Sequence, residues 1–160
     1  MKIQPISFNL TVFENQEGLD AADQSLLQVA RSFLKNAYAP YSKFQVAAAI
    51  LLANGEIVCG ANQENAAYPM CVCAEVTALS ACTSLYPDIA PHKMAIVANS
   101  LHKISKQPAA PCGQCRQTIF EYECRFQKNI AIIMAANQGE IYKVDSVKDL
   151  LPLHFSSDNL

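Results

Sequence analysis

Two short segments carry the residue types that chemistry needs. Cys73-Ala74-Glu75 and Pro111-Cys112-Gly113-Gln114-Cys115 each stand where a helix is predicted to begin. A helix N-terminus offers unpaired N–H groups and a partial positive charge. Both favour thiolate over thiol, so cysteines there are poised as metal ligands. Cys112 and Cys115 are three apart and share one helix face, and Cys73 can supply a third sulfur. Three ligands leave a tetrahedral zinc with one position open to water, the catalytic arrangement. Zinc lowers the pKa of the water it holds from ~15.7 toward ~7. Glu75 is not needed as a ligand and can take a proton and pass it on, help typically worth ~10²- to 10⁴-fold in rate. The same spacing admits a closed four-sulfur site with Cys71, which would leave Glu75 idle. Cys59, Cys82 and Cys124 stand singly in apolar contexts and read as packing.

These residues need a scaffold. Ile6, Phe8, Leu10 and Val12 alternate with polar residues and predict a half-buried strand. Asp20 to Tyr38 carries apolar residues at helical spacing, with Asp20 or Asp23 as the cap and Pro40 beyond the end. Phe44 to Leu52 is a nearly continuous apolar run. Asn54-Gly55 then predicts a type I′ hairpin turn into Glu56 to Ala61. Cys73 to Leu85 and Cys112 to Tyr122 predict helices. Lys93 to Asn99, Asn129 to Ala136 and Glu140 to Val144 predict strands, and a short element closes the chain at Asp149 to Leu151. Continuous apolar strands between helices imply an α/β domain with a central mixed sheet.

Composition narrows the function classes. The chain has 160 residues, 51% hydrophobic and 16% charged, against a typical charged share of ~25%. That excludes a disordered chain, and one domain is the expectation at this length. A formal net charge of −2 argues against a grip on a nucleic-acid backbone, which needs clustered Lys and Arg. No run reaches the ~18 apolar residues of a membrane span. The N-terminus lacks the unbroken apolar core of a signal peptide. Seven cysteines are an odd count, and a domain this size needs no disulfide framework, so reduced thiols in the cytoplasm are expected.

From Asn36 to the C-terminus the sequence resembles the cytidine deaminases of the small, homotetrameric, three-cysteine zinc type. The resemblance rests on Ala39-Pro40-Tyr41-Ser42-Lys43-Phe44, Gly60-Ala61-Asn62-Gln63-Glu64-Asn65-Ala66, Cys73-Ala74-Glu75 with Ala78-Leu79, Pro111-Cys112-Gly113-Gln114-Cys115-Arg116-Gln117, and Leu150-Leu151-Pro152 with Phe155. The zinc deaminase signature is H-x-E followed by P-C-x-x-C, and Cys73 stands where other members have His. The resemblance implies a three-layer α/β/α sandwich with a mixed five-stranded sheet, here with an extra N-terminal strand. It implies one domain over residues 1–160, with 1–35 mostly outside the match. It also implies one Zn2+ per subunit on Cys73, Cys112 and Cys115, with Glu75 as proton shuttle. Asn62 and Glu64 match the pair that binds the ribose 3′-hydroxyl. Phe44 matches a pocket wall, and the backbone of Ala74 a contact to the pyrimidine carbonyl. Tyr68 and Phe155 match residues that reach a neighbouring subunit's site, with Phe155 stacking on the base. The implied activity is hydrolysis of cytidine and deoxycytidine to uridine and deoxyuridine, in pyrimidine salvage, by a homotetramer with sites at subunit contacts. The partner is a small nucleoside, with no nucleic acid and no membrane.

Some positions depart from the family pattern. Val76 stands where the family usually has Arg, which donates to the cysteine sulfurs and offsets the negative charge of zinc with three thiolates. Arg116 is a possible substitute donor. Without the Arg, the acid limb of activity is expected at higher pH than in Arg-bearing relatives. Ala47 stands where Gly is common, and Pro69-Met70-Cys71-Val72 departs from the usual small residue near Cys71. Two alternatives follow: a deaminase of another cytosine nucleoside such as an antibiotic, and a zinc-bound structural or regulatory homologue without catalysis.

Overall fold

Apolar residues alternate between two faces along the inner strands, and helices cover both faces. The computed structural model describes residues 1–160. Its sheet has six strands in the order β1-β6-β5-β4-β2-β3. The strands are β1 (Thr11–Phe13), β2 (Phe44–Leu52), β3 (Ile57–Ala61), β4 (Pro91–Ser100), β5 (Ala131–Ala136) and β6 (Ile141–Val144). Only β4 and β5 pair in parallel; every other neighbouring pair is antiparallel. The helices are α1 (Ala21–Phe33), α2 (Ala74–Leu85) and α3 (Gly113–Phe126).

On one face Leu26, Leu27 and Ala30 of α1 pack against Ala49, Ala95, Val97, Ile133 and Ala135. On the other, Ala78 and Leu79 of α2 and Ile119 and Phe120 of α3 pack against Ala48, Ile50, Met94, Ile96, Ile132 and Met134. The strand residues in these two sets alternate, which is why β2, β4 and β5 read as unbroken apolar runs. Burying a side chain such as Leu26 or Leu27 stabilises by ~1.5–3 kcal/mol. This is the three-layer mixed-sheet architecture, with the N-terminal strand at one edge.

The topology fixes where the helices begin. β3 and β4 both run antiparallel to β2, so they run parallel to each other. α2 follows β3, and α3 follows β4. The two helix N-termini therefore emerge at the same end of the sheet, the carboxyl ends of β3, β4 and β5, where open α/β sheets bind ligands.

Five details differ from expectation. The N-terminal strand covers only Thr11–Phe13, because its partner β6 offers only four residues. Ile6, Phe8, Leu10 and Val12 are exposed, not half-buried. The Asn54-Gly55 turn is not type I′, because only Gly55 has positive φ. Gly55 N–H donates to Leu52 O, Leu52 N–H donates to Glu56 O, and Asn54 Oδ1 accepts from Glu56 N–H. That is a three-residue loop closed by a left-handed glycine. α1 ends at Phe33, with a 3₁₀ turn over Leu34–Asn36, well before Pro40. α3 continues to Phe126 and stops at Gln127, whose φ of 52° is left-handed.

Buried carboxylates lock the layers. Asp20 caps α1, its side chain accepting from Asp23 N–H at 2.7 Å. Asp23 itself is fully buried and paired with Lys93 of β4 and Lys143 of β6, both at 2.5 Å. Burial works to raise its pKa, but hydrogen bonds and charge from Lys143 and Lys93 outweigh it and leave the pKa below the usual aspartate value.

Candidate active site

Cys73 and Cys112 are the N-cap residues of α2 and α3, and neither caps with its side chain. Their sulfurs turn toward each other at 3.8 Å, and Cys112 Sγ lies 3.5 Å from Cys115 Sγ. All three sulfurs lie within 4.8 Å of one another. Zn–S bonds of ~2.3 Å give a tetrahedron with S···S edges of about 3.8 Å. The trio therefore fits zinc as it stands, with one corner left over. Cys115 is buried, Cys73 half-buried and Cys112 exposed. A hydrogen bond from the Cys115 thiol draws Cys73 down to about 7, against burial and the charge of Glu75. The Cys115 thiol is correspondingly pushed up.

Cys71 does not complete a four-sulfur site. Its sulfur accepts from Asn65 N–H at 3.2 Å and faces Asn65 O at 3.6 Å. Burial raises the pKa of Cys59 and pushes Cys82 up to about 12, as suits packing cysteines. Arg116 donates from Nε to Pro111 O and from Nη1 to Leu150 O, both at 2.8 Å, and no hydrogen bond from it reaches a cysteine sulfur. It ties the loop before Cys112 to the C-terminal segment.

Glu75 sits in the first turn of α2 with 5% exposure. Burial raises its carboxyl pKa, partly offset by its own backbone N–H and the Cys115 thiol. Glu75, Cys73 and Cys112 line one cavity of about 310 Å³ together with Phe44, Asn62 and Glu64. Ala74, fully buried, also lines it.

The polar wall is built by backbone pairing. Asn62 Oδ1 accepts from Val46 N–H at 2.8 Å, and its Nδ2 donates to Phe44 O at 2.9 Å, so the amide continues the β2–β3 ladder by one rung. Glu64 Oε2 accepts from Tyr41 N–H at 2.9 Å and Ser42 N–H at 3.3 Å, and Oε1 accepts from the Ser42 hydroxyl. These contacts hold its carboxyl below the usual range, led by the Ser42 hydroxyl against partial desolvation, with the charge of Lys43 adding to the effect. Lys43 has φ 55°, a left-handed conformation uncommon for a residue with a side chain.

Tyr68 and Phe155 do not line this cavity. Tyr68 is exposed and meets Tyr41 edge-on at 6.4 Å between ring centroids. Phe155 is exposed, with its carbonyl held by Gln117 Nε2 at 2.8 Å. The sequence reading missed Ser42, and also Ala109 and Ala110, which line the cavity from the loop before Cys112. A serine two residues before the apolar run of β2 was the available signal, since Ser hydroxyls bond nearby backbone.

The sequence profile of the cytidine and deoxycytidylate deaminase zinc-binding region matches residues 20–137. A cytidine deaminase of Halalkalibacterium halodurans is 35% identical over 137 residues, covering 86% of this chain and 96% of its own. One from Sporosarcina psychrophila is 36% identical over 138 residues, covering 86% and 93%. The crystal structure of cytidine deaminase from Burkholderia pseudomallei superposes with a TM-score of 0.70 at 34% identity, over 82% of this chain and 97% of that one. The matched region holds all three clustered cysteines and takes one Zn2+ per subunit. The chain belongs to the cytidine and deoxycytidylate deaminase family.

Proposed function

We propose that this protein hydrolyses cytidine and deoxycytidine to uridine and deoxyuridine with release of ammonia. One observation carries the reading: three sulfurs cluster at zinc spacing, and two of them, Cys73 and Cys112, line one cavity together with the buried Glu75, Asn62 and Glu64. Cys73, Cys112 and Cys115 would hold zinc, which would supply a Lewis acid that activates water. Glu75 would take a proton from the attacking water as a C–O bond forms at C4 of the base. It would deliver that proton to ring N3, then take the second proton from the C4 hydroxyl and pass it to the amino group, which leaves as ammonia as C4 becomes a carbonyl. Its burial suits this double role, because burial raises its pKa above the usual glutamate value and so makes it a better proton acceptor. Asn62 and Glu64 bind the ribose 3′-hydroxyl, Phe44 lines the nucleoside cleft, and the Ala74 backbone meets the pyrimidine carbonyl.

The 160 residues act as one catalytic unit. Tyr68 and Phe155 are exposed and outside their own chain's cavity, which supports service at a neighbouring site in a homotetramer. A net charge of −2 suits a free nucleoside over a charged strand, and no helix is long and apolar enough to cross a membrane. The reading places the enzyme in the cytoplasm, in pyrimidine salvage.

Purified zinc-loaded protein incubated with cytidine is expected to show the absorbance fall of conversion to uridine. Glu75→Gln is expected to lose ~10²- to 10⁴-fold in rate while keeping its zinc. Turnover undiminished in that variant overturns the role of Glu75. Absence of turnover in the zinc-loaded native protein overturns the activity.

A further inference from the structure

The hydroxyl of Ser42 is engaged on both sides. It donates to Glu64 Oε1, and its oxygen accepts from Phe44 N–H at 3.0 Å. With the N–H groups of Tyr41 and Ser42 on Oε2, the carboxylate of Glu64 accepts three hydrogen bonds from one loop. An ionised carboxylate offers about four acceptor sites, so one remains, on Oε1. The amide of Asn62 has given one N–H to Phe44 O and one lone pair to Val46 N–H, which leaves one N–H and one lone pair. The free N–H of Asn62 and the remaining acceptor of Glu64 suit a hydroxyl, which can accept from the one while donating to the other.

We infer that Ser42 is a positioning residue whose hydroxyl holds Glu64 so that its last lone pair faces the sugar hydroxyl of the nucleoside. The inference rests on the proposed assignment of Glu64 to that hydroxyl. The loop is built to hold this pose. Lys43 takes its left-handed turn between Ser42 and β2, its N–H donating to Ala39 O at 3.2 Å and its carbonyl accepting from Leu101 N–H at 2.9 Å. Phe44, whose N–H ends on Ser42 Oγ, presents the pocket wall. Losing the Ser42 hydroxyl frees the carboxylate to rotate without touching the zinc ligands.

The test compares kcat and KM for cytidine and 3′-deoxycytidine in the native enzyme, Ser42→Ala, Ser42→Thr, Glu64→Gln and the Ser42→Ala/Glu64→Gln pair, with zinc content and Tm measured on each. Ser42→Ala is expected to lower kcat/KM for cytidine about tenfold, mostly through KM, the size of one hydrogen bond to a charged group. It is expected to leave 3′-deoxycytidine within about twofold. Ser42→Thr restores the cytidine value, and adding Ser42→Ala to Glu64→Gln costs little more. Equal losses on both substrates, with Glu64→Gln still erasing the preference for cytidine, overturn the positioning role and leave the sugar assignment standing. A preference for cytidine untouched by Glu64→Gln overturns the sugar assignment and this inference with it.

Discussion

Gly60 of β3 lies directly beneath Ala78 of α2: a Cβ at Gly60 would stand 2.4 Å from Ala78 N and 2.6 Å from Ala74 O. The obstacle is helix backbone, which cannot swing aside as a side chain can. The glycine is there for close approach, since its φ is not among the positive values. That approach seats the first turn of α2, and with it Cys73 and Glu75, against the sheet. Gly60→Ala is expected to push the helix start outward. The variant should lose ~1–3 kcal/mol, as overpacking does, and hold less than one zinc per chain. Thermal unfolding and metal content measure both, and a variant with native Tm and full zinc would contradict the packing argument.

Asp23 ties the first turn of α1 to β4 and β6 through Lys93 and Lys143. Its folded pKa is depressed, so its stabilisation is complete above its unfolded value of ~3.9 and is lost as pH falls through the lower folded value. The pKa of Lys93 is raised, first by the hydrogen bond to Asp23, so the pairing also fades as pH rises past ~10.4. Asp23→Asn should cost ~3 kcal/mol near neutrality, the lower end for breaking a buried pair, because both lysines retain about a fifth of their side-chain exposure and can turn to water. Urea unfolding from pH 3 to 8 should show the gap between the two proteins closing toward the acid end. A gap that stays constant with pH would place the cost elsewhere.

What the sequence could show depended on whether the information was local. β2 has the bounds its apolar run predicted, Phe44–Leu52, because both faces of that strand are covered. The three cysteines gather as their helix-start positions implied. The alternation at Ile6 to Val12 looks the same whether or not a partner strand exists, and pairing with β6 stops at Thr11. Asn54-Gly55 marked a turn, but its type depended on the φ of Asn54, which the residue leaves open. The Ser42–Glu64 clamp spans 22 residues, and the Asp23 pairs span 70 and 120. No spacing rule joins groups so far apart. Arg116 was a possible sulfur donor by proximity in sequence, yet it satisfies two loop carbonyls instead.

Val76 is half-buried in the first turn of α2, three residues after Cys73. With no cation at that position, the charge of zinc and three thiolates is offset mainly by the N-termini of α2 and α3. Val76→Arg is therefore expected to tighten zinc binding about tenfold, the low end of what outer partners of metal ligands contribute. Competition with a chromophoric chelator measures it. An unchanged zinc affinity would mean that the two helix ends already suffice. Stripping zinc with the same chelator should abolish turnover in both proteins, and adding zinc back should restore it.

Glu123, in the last turns of α3, is buried with no cation beside it and still finds three donors. Oε1 accepts from Ile130 N–H at 2.9 Å and Val147 N–H at 3.1 Å, and Oε2 accepts from the Ser146 hydroxyl at 2.7 Å. One carboxylate thus joins the end of α3 to the start of β5 and to the turn after β6. Glu123→Gln keeps an oxygen for the two backbone donors and loses only the bond from Ser146, so it should cost ~1 kcal/mol. Glu123→Ala strands two buried N–H groups at ~1–3 kcal/mol each and opens a cavity besides. Because the far end of α3 carries Cys112 and Cys115, the alanine variant should also lose zinc to chelator faster, while the glutamine variant should not. Equal destabilisation by the two substitutions would show that the negative charge of Glu123, not its acceptor geometry, holds these elements together.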